Sequence, residues 1–230
     1  MKKERSKGLL IAIDGPAGSG KSSIGGMLAD RLGYIHLSTG SMYRAIGWKA
    51  HQAGIEFEDI PAMMELLQAT TIEFRKTRGP NRVIVDGEDW TGRLNSNEAG
   101  MLASAVSAVP EVRSGLLDLQ RRAGEQGGVI LDGRDIGTVV FPDADVKFYL
   151  DASPEERAKR RYSQLRRQGL SADMNQLIAD IKQRDADDSH RKVAPLKKAD
   201  DAIYVDSTPY SVKEVLDILE QEIQKISSPR

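Results

Sequence analysis

The sequence lacks several features that define particular classes of protein. None of its 230 residues is cysteine, which excludes disulfide bonds and a four-cysteine zinc site. The 33 Lys and Arg residues nearly balance the 34 Asp and Glu residues, so the formal net charge is only -1. Aromatic residues make up 5% of the chain and are not interleaved with basic residues. We therefore expect neither nucleic acid nor a membrane surface as a partner.

Long hydrophobic runs are also missing from the N-terminal region. A charged leader at residues 1–7 precedes a short apolar run at residues 9–13. A transmembrane helix needs about 20 apolar residues, and a signal peptide also needs a longer run than this. The lack of cysteine fits a reducing compartment. We expect a cytoplasmic, monomeric protein with one main domain and a smaller insertion.

Short apolar runs alternate with helical patterns along most of the chain. Buried strands are predicted at residues 9–13, 34–37, 128–132, 144–150 and 202–205. Helices are predicted at residues 21–32, 40–52, 98–108, 110–125, 153–168, 174–187 and 212–226. This alternation predicts an α/β fold with a mainly parallel sheet flanked by helices.

The stretch from 57 to 100 interrupts this alternation of strands and helices. It predicts a short helix at 61–68 and two strands, at 71–75 and 82–86, separated by a turn at 77–81. We interpret it as part of a small β-containing insertion. The predicted division is a core formed by residues 1–42 and 108–230, and an inserted subdomain formed by residues 43–107.

A phosphate-binding loop follows the first predicted strand. Residues 15–22 read GPAGSGKS and match the pattern G-x-x-x-x-G-K-[ST] between a strand and a helix. The glycines let backbone N–H groups surround phosphate oxygens, and the helix N-terminus adds a positive dipole end. The predicted ATP-binding residues are Gly15, Pro16, Ala17, Gly18, Ser19, Gly20, Lys21, Ser22 and Ser23. The alternative is a glycine-rich turn that matches by chance.

Two features of this loop point to phosphoryl transfer with Mg²⁺. We expect Lys21 to bridge the β- and γ-phosphates of ATP and Ser22 to bind Mg²⁺. Asp132 ends a later buried strand, where an acidic residue of a P-loop fold contacts the metal through water. The alternative for Asp132 is an ordinary aspartate in the turn before Gly133.

A basic helix is the second chemical signature. Ser153, Pro154 and Glu156 predict its N-terminal cap, first turn and capping box, and Gly169 predicts its end. Basic side chains lie along it: Arg157, Lys159, Arg160, Arg161, Arg166 and Arg167. Phosphoryl transfer needs mobile cations that close over the transferring group and exclude water, and a basic helix could supply them. We therefore predict a lid at about 154–170. The alternative is a solvated surface helix, which Glu155 and Glu156 favour.

The class of P-loop protein can be narrowed further. The chain has no N-K-x-D motif of a GTPase, and large mechanical ATPases need a longer chain. Polar segments at 38–44 and 133–137 follow the second and third strands of the predicted core. Ligands bind outside the carboxyl ends of parallel strands, so these segments should converge on the P-loop. A kinase acting on a small molecule is the class that remains.

At these residues the sequence resembles the bacterial cytidylate kinase family, along nearly its whole length. The matching segments are IDGP at 13–16, TGSMYR at 39–44, LDGRDIGTVVFP at 131–142, APL at 194–196, DA at 201–202 and DS at 206–207. Ser38 departs from the family's usual aspartate, and Ser23 stands where many nucleotide kinases have threonine. The resemblance implies a P-loop kinase core with a β-containing nucleotide-binding insertion and a helical lid. It also implies transfer of the γ-phosphoryl group of ATP to CMP or dCMP, with Mg²⁺, in pyrimidine metabolism.

The resemblance implies a role for each matching residue. Arg44 and Arg134 would hold the acceptor phosphate, and Lys21, Arg160 and Arg184 would be catalytic. The implied cytidine-site residues are Thr39, Ser104, Arg113, Asp135, Asp188 and Arg191.

The chemistry of the bases supports this assignment independently. Cytosine offers an N4 amino donor where uracil has an O4 acceptor, and a carboxylate accepts well from that amino group. Asp135 is the candidate acceptor, and Arg113 can donate to O2 and N3 of the base. The alternative is that Asp135 only orders the turn, through an ion pair with Arg134 or Arg113.

Two other functions remain as alternatives at this point. The chain could be a kinase for UMP, AMP or a different small acceptor. It could also be a non-catalytic, nucleotide-gated binding module. Such a module would keep the P-loop but would not need the lid arginines and the acceptor-site charges, which this sequence retains.

Overall fold

The computed structural model describes residues 5–77, 79–167 and 169–227. The strands are β1 (Leu10–Asp14), β2 (Ile35–Ser38), β3 (Ile72–Thr77), β4 (Gly79–Val85), β5 (Glu88–Asp89), β6 (Val129–Gly133), β7 (Val146–Asp151) and β8 (Ile203–Asp206). The α-helices are α1 (Lys21–Leu32), α2 (Thr39–Ala53), α3 (Ile60–Gln68), α4 (Asn97–Val106), α5 (Pro110–Gly124), α6 (Pro154–Arg167), α7 (Met174–His190) and α8 (Val212–Ser227). No helix in these ranges is long and apolar enough to cross a membrane.

A parallel sheet with the strand order β2-β6-β1-β7-β8 forms the centre of the core. Every residue of β1 and β6 is buried, as expected for central strands covered by helices on both faces. Asp14 pairs in register with Gly133, and Ser38 pairs with Asp132. The α/β P-loop kinase fold predicted from the sequence is therefore confirmed, with the strand ends after β1, β2 and β6 side by side.

The two faces of the sheet pack against different helices and turns. Because side chains alternate along a strand, Ile11 and Ile13 face a cluster that includes residues of α1 and α8. Leu10 and Ala12 face the opposite cluster, which includes Val140. This packing on both faces fixes the positions of the strand ends, where the polar segments predicted to bind ligands begin.

The inserted segment carries a second sheet, which is antiparallel with the order β3-β4-β5. Its core includes Met42, Ile46 and Met63, and Leu116 of α5 packs into the same cluster. The Asn81 side chain donates to the His36 carbonyl oxygen at 2.8 Å, which ties β4 to β2 of the main sheet. The boundaries of the insertion at residues 43 and 107 stay a prediction.

Most predicted elements agree with the structure to within a few residues, but several do not. Helix α7 continues to His190 instead of ending at Asp187, which places Asp188 in its last turn. The turn expected at 77–81 is shorter, because β3 extends to Thr77 and β4 starts at Gly79. Three short elements were not predicted: β5, a 3₁₀ turn at 93–95 and a π-helical turn at 136–140. Arg78 and Gln168, which the predicted turn and lid helix included, lie outside the described residues.

The predicted capping box of α6 forms only in part. The Ser153 hydroxyl accepts from the Glu156 backbone N–H at 3.2 Å, as expected. The Ser153 N–H, however, donates to the Thr208 hydroxyl, and the Glu156 carboxylate accepts from Arg160 at 3.2 Å. The reciprocal half of the prediction is wrong because each group has a competing partner. Gly169, with φ of 75°, follows the helix as predicted.

Candidate active site

The P-loop has a backbone that requires glycine at its first position. Gly15 has φ of 147°, and a Cβ atom there would lie 2.0 Å from the Leu150 carbonyl oxygen. Gly18 and Gly20 are left-handed, with φ of 78° and 98°, a region that L side chains rarely adopt. The chain therefore turns tightly between β1 and the N-terminus of α1, the arrangement that exposes backbone N–H groups to phosphate.

Lys21 begins α1 and is buried within the loop. Its ammonium donates to the Pro16 carbonyl oxygen at 2.6 Å. Burial and then the nearby Arg134 charge lower the pKa of Lys21 well below its usual value, although Asp132 and Asp14 oppose this. An anionic ligand at this position would favour the charged form of Lys21.

Ser22 and Asp132 meet at the carboxyl end of β6. The Ser22 hydroxyl donates to the Asp132 carboxylate at 2.9 Å, and His36 Nε2 lies 2.6 Å from the other carboxylate oxygen. Burial alone would raise the pKa of Asp132, but the His36 hydrogen bond and the Lys21 charge hold it below its usual value. A hydroxyl and an ionised carboxylate beside Lys21 are oxygen ligands of the type that Mg²⁺ prefers. The predicted pair therefore fits this metal.

Asp14 joins the P-loop strand to the next segment of the site, a role that sequence reasoning missed. Its carboxylate accepts from the Ile136 and Gly137 backbone N–H groups at 2.8 and 2.7 Å. Burial raises the pKa of Asp14 to about 6, although these hydrogen bonds act in the opposite direction. The available signal was an ionisable residue at the end of an otherwise apolar strand.

Several arginines converge on the open end of the sheet. Arg44 donates to the Leu94 carbonyl oxygen at 3.2 Å, and Arg134 pairs with Asp188 at 2.7 Å. The Arg184 Nε atom is buried without a hydrogen-bond partner among the described residues. Burial lowers the pKa of Arg44 and of Arg184, and the Arg134 charge lowers both further. Because Arg134 repels both Arg44 and Arg184, an anionic group bound among these three arginines would be stabilised.

A chain of ion pairs links the predicted base-reading residues. One oxygen of the buried Asp135 carboxylate accepts from Arg113, so the ion pair weighed as an alternative is present. The other oxygen lies 3.9 Å from Arg191 Nη2, beyond hydrogen-bonding distance, and this nitrogen has no hydrogen-bond partner within the described ranges. The Arg113 guanidinium lies over the Tyr43 ring, 5.5 Å from its centroid, which adds Tyr43 to the site. In the sequence, Tyr43 stands out only as part of the TGSMYR segment at 39–44.

The other predicted nucleoside-site residues are less closely grouped. The Thr39 hydroxyl is buried and donates to the Asp132 carbonyl oxygen at 2.9 Å. Asp188 lies at the end of α7, with Arg191 Nη1 at 3.8 Å. Ser104 is half-buried on α4 in the insertion, and its backbone carbonyl accepts from the Ser107 hydroxyl at 2.9 Å. The structure brings Asp188 and Arg191 together and places Ser104 on a separate element.

Two arginines of α6, Arg160 and Arg157, make different contacts with the P-loop. Arg160 donates to the Ser19 carbonyl oxygen of the P-loop at 3.2 Å and to the Ser207 carbonyl oxygen at 2.9 Å. Arg157 is 2% exposed and pairs with Asp185 through two nitrogens while it also donates to the Ala17 carbonyl oxygen at 3.0 Å. Arg157 therefore serves as a structural link between the P-loop, α6 and α7. Sequence reasoning had grouped it with the lid cations.

Comparison with known proteins identifies the family to which this site belongs. A family model described as Cytidylate kinase matches residues 11–225. The chain belongs to the cytidylate kinase family. A cytidylate kinase of Geobacter sp. (strain M21) is 48% identical over 221 residues, which cover 96% of this chain and 95% of that protein. Cytidylate kinases of Caldicellulosiruptor saccharolyticus (48% identity, 91% and 93% coverage) and Pasteurella multocida (43%, 92% and 93%) are also similar.

A solved structure also shares the fold of this chain. The crystal structure of an uncharacterised protein from Eubacterium ventriosum ATCC 27560 matches with a TM-score of 0.53. It is 16% identical and covers 95% of this chain and 99% of that chain, so the likeness is one of fold alone. The cytidylate kinase family membership rests on the sequence relatives.

Proposed function

We propose that this protein transfers the γ-phosphoryl group of ATP to CMP or dCMP, giving ADP and CDP or dCDP. The observation that carries the proposal is a cluster of cations around Arg134, whose charge acts on Lys21 of the P-loop, on Arg44 and on Arg184. Within it, burial and neighbouring positive charge lower the pKa values of Lys21, Arg44 and Arg184. Two phosphate-bearing ligands that meet end to end would neutralise this cluster.

The donor side of the proposal uses the P-loop. Residues 15–23 would surround the phosphates of ATP, with Lys21 placed at the β- and γ-phosphates. Ser22 would hold Mg²⁺ directly and Asp132 would hold it through water, as their 2.9 Å hydrogen bond allows. When bound, Mg²⁺ would neutralise charge on the phosphates.

The acceptor side uses the turn after β6 and the end of α7. Arg44 and Arg134 would hold the phosphate of CMP, while Thr39, Ser104, Asp188 and Arg191 would line the nucleoside. In the base-reading step, Arg113 would donate to O2 and N3 of cytosine. The Asp135 oxygen that does not bind Arg113 would accept from the N4 amino group, since Arg191 Nη2 lies 3.9 Å from it, too far for a hydrogen bond.

Arg160 of the lid and Arg184 of α7 would complete the site at the transferring group. Arg160 already lies against the Ser19 carbonyl oxygen, and Arg184 lies beside Gly100 of the insertion, where a Cβ atom would be 3.9 Å from its Nη1. Arg184 would therefore lie where the proposed insertion meets the core. We propose residues 43–107 as the acceptor-binding unit and about 154–170 as the lid. A monomeric, cytoplasmic enzyme of pyrimidine metabolism fits this activity.

Label transfer tests the proposal directly. We expect label from [γ-³²P]ATP to appear in CDP when CMP and Mg²⁺ are present, and not when Mg²⁺ is chelated. Lys21→Ala should remove nearly all transfer while the protein stays folded, because Lys21 would balance charge on the β- and γ-phosphates. Lys213→Ala is the matched control, since Lys213 is exposed on α8. Near-normal transfer by folded Lys21→Ala would refute the P-loop assignment.

A further inference from the structure

The Asp132 carboxylate is held at both of its oxygens by side chains from two different elements. Ser22 of α1 donates to Oδ2 at 2.9 Å. His36 of β2 lies 2.6 Å from Oδ1, and its side chain is only 10% exposed. A carboxylate with one bonded oxygen can still rotate about its terminal torsion, whereas bonds to both oxygens fix its plane. His36 supplies the second of these bonds.

The direction of both hydrogen bonds follows from the charge of Asp132. Each oxygen of this carboxylate has a possible donor in hydrogen-bonding contact, the Ser22 hydroxyl at 2.9 Å and the His36 ring nitrogen at 2.6 Å. An ionised carboxylate can only accept, so His36 Nε2 must carry its proton and donate. Ser22 likewise directs its hydroxyl proton at Asp132, which leaves the lone pairs of Ser22 Oγ available to a cation.

The His36 ring is itself fixed by its surroundings. A Cβ atom on Gly25 would lie 2.9 Å from both Cδ2 and Nε2 of the ring, so the absence of a side chain there lets the ring lie against α1. Asn81 of the insertion donates to the His36 carbonyl oxygen at 2.8 Å. The position of Nε2 is therefore determined by α1, β2 and β4 together.

We propose that His36 is a positioning residue that orients the Asp132 carboxylate, and through it the Ser22 hydroxyl, for the Mg²⁺ that accompanies the donor nucleotide. This inference rests on the proposed function, because it assumes that Ser22 and Asp132 hold that metal. Side chains that orient metal-binding groups are typically worth about 10–100-fold in metal affinity or activity. The effect of removing His36 should therefore appear in nucleotide binding only when Mg²⁺ is present.

Calorimetric titration with ADP, once with excess Mg²⁺ and once with a chelator, separates these effects. We expect His36→Leu to weaken ADP binding by about tenfold with Mg²⁺ and to leave binding in chelator unchanged. His36→Gln, which keeps an N–H donor near the position of Nε2, should retain most of the wild-type Mg²⁺ effect. His51→Leu is the control, because His51 is exposed on α2.

A double-mutant cycle tests whether His36 acts through Asp132. In an Asp132→Asn background, His36→Leu should cause no further loss of the Mg²⁺ effect on ADP binding. An additional loss there would overturn the proposal, as would equal Mg²⁺ effects in wild type and His36→Leu. If His36→Leu does not fold, His36→Asn takes its place, since its shorter amide does not reach Asp132.

The two proposals fail in different ways. If wild-type protein bound ADP equally well with Mg²⁺ and with chelator, the metal assignment of the proposed function would be wrong, and the His36 proposal with it. If wild type showed a clear Mg²⁺ effect that His36→Leu retained in full, only the role of His36 would be wrong.

Discussion

Three buried aspartates of the site behave differently because their partners differ. Asp14 accepts from two backbone N–H groups, and burial raises its pKa to about 6. Asp132 is hydrogen-bonded to His36 and lies near Lys21, and its pKa is held below the usual value despite burial. Asp135 is paired with the buried Arg113. Environment, rather than residue type, therefore separates a structural carboxylate from those that face ligands.

The raised pKa of Asp14 predicts a pH-dependent stability. Between about pH 4 and 6 the folded protein holds a proton that the unfolded chain releases, so this group's contribution to stability falls as pH rises. A shift from 3.8 to about 6 corresponds to about 3 kcal/mol. Urea unfolding at pH 4 and 7 measures it. Because the unfolded carboxyl is already mostly ionised at pH 4, wild type should lose about 2 kcal/mol more than Asp14→Asn over this interval, and parallel losses would contradict the assignment.

Asp135 should determine the choice between cytosine and uracil. With UMP bound, its carboxylate would face the O4 lone pairs, and a buried polar group left unpaired costs about 1–3 kcal/mol. We expect Asp135→Ala to lower kcat/KM for CMP sharply and to change kcat/KM for UMP little, so that the ratio collapses. Asp118→Ala, an exposed change on α5, is the control. If the CMP-to-UMP ratio survives in Asp135→Ala, the Arg113 ion pair is the whole role of Asp135.

The role of a site residue could be predicted from the sequence when its signal is local, but not when its partner is distant in the sequence. The P-loop residues form a local pattern, and Asp132 stands out as the charged end of a buried strand. His36 gains its role only because β2 pairs with β6, which places it beside Asp132. That pairing is set by packing of the whole sheet, and nothing local in residues 34–37 indicates it.

At the scale of elements, α6 shows how a helix can combine structural and chemical roles. Its first turn is fixed by Arg157, which binds Asp185 and the Ala17 carbonyl oxygen. One turn later, Arg160 contacts the P-loop at Ser19. Arg166 and Arg167 are exposed at the helix end. The sequence predicted a run of basic residues along α6, but it could not distinguish the buried Arg157 from the others.

Substitutions of arginines on α6 and α7 should have different kinetic effects. Arg160→Ala and Arg184→Ala should lower kcat far more than they raise KM for CMP, because both would stabilise charge in the transition state. Arginines of this kind are worth about 10³–10⁵ in rate. Arg166→Ala and Arg167→Ala are the matched controls and should be nearly silent. A change in KM alone at Arg160 or Arg184 would reassign that residue to ground-state binding.

The π-helical turn at 136–140 illustrates what element prediction missed. Its first N–H groups are bound by Asp14, which lies far away in the sequence. A helix end marked by a neighbouring residue, as at Gly169 after α6, was predicted correctly. A cap supplied by another strand depends on sheet register and leaves no local signal.

At the scale of the whole molecule, the parallel sheet assembles the site from distant segments. The ends of β1, β2 and β6 are adjacent in the order β2-β6-β1, so the P-loop, the 38–44 segment and the 133–137 segment meet. The alternation of strands and helices in the sequence predicted this convergence. The placement of the insertion against β2, through Asn81 and His36, required the structure.

The acceptor preference of the wild-type protein tests the central claim most directly. The measurement is kcat/KM for CMP, dCMP, UMP and AMP at saturating ATP and Mg²⁺, followed by ADP release. We predict that CMP and dCMP exceed UMP by about tenfold or more, because UMP leaves Asp135 unpaired. AMP should be poor because a purine needs a wider slot than cytosine. A preference for UMP or AMP over CMP would contradict the account.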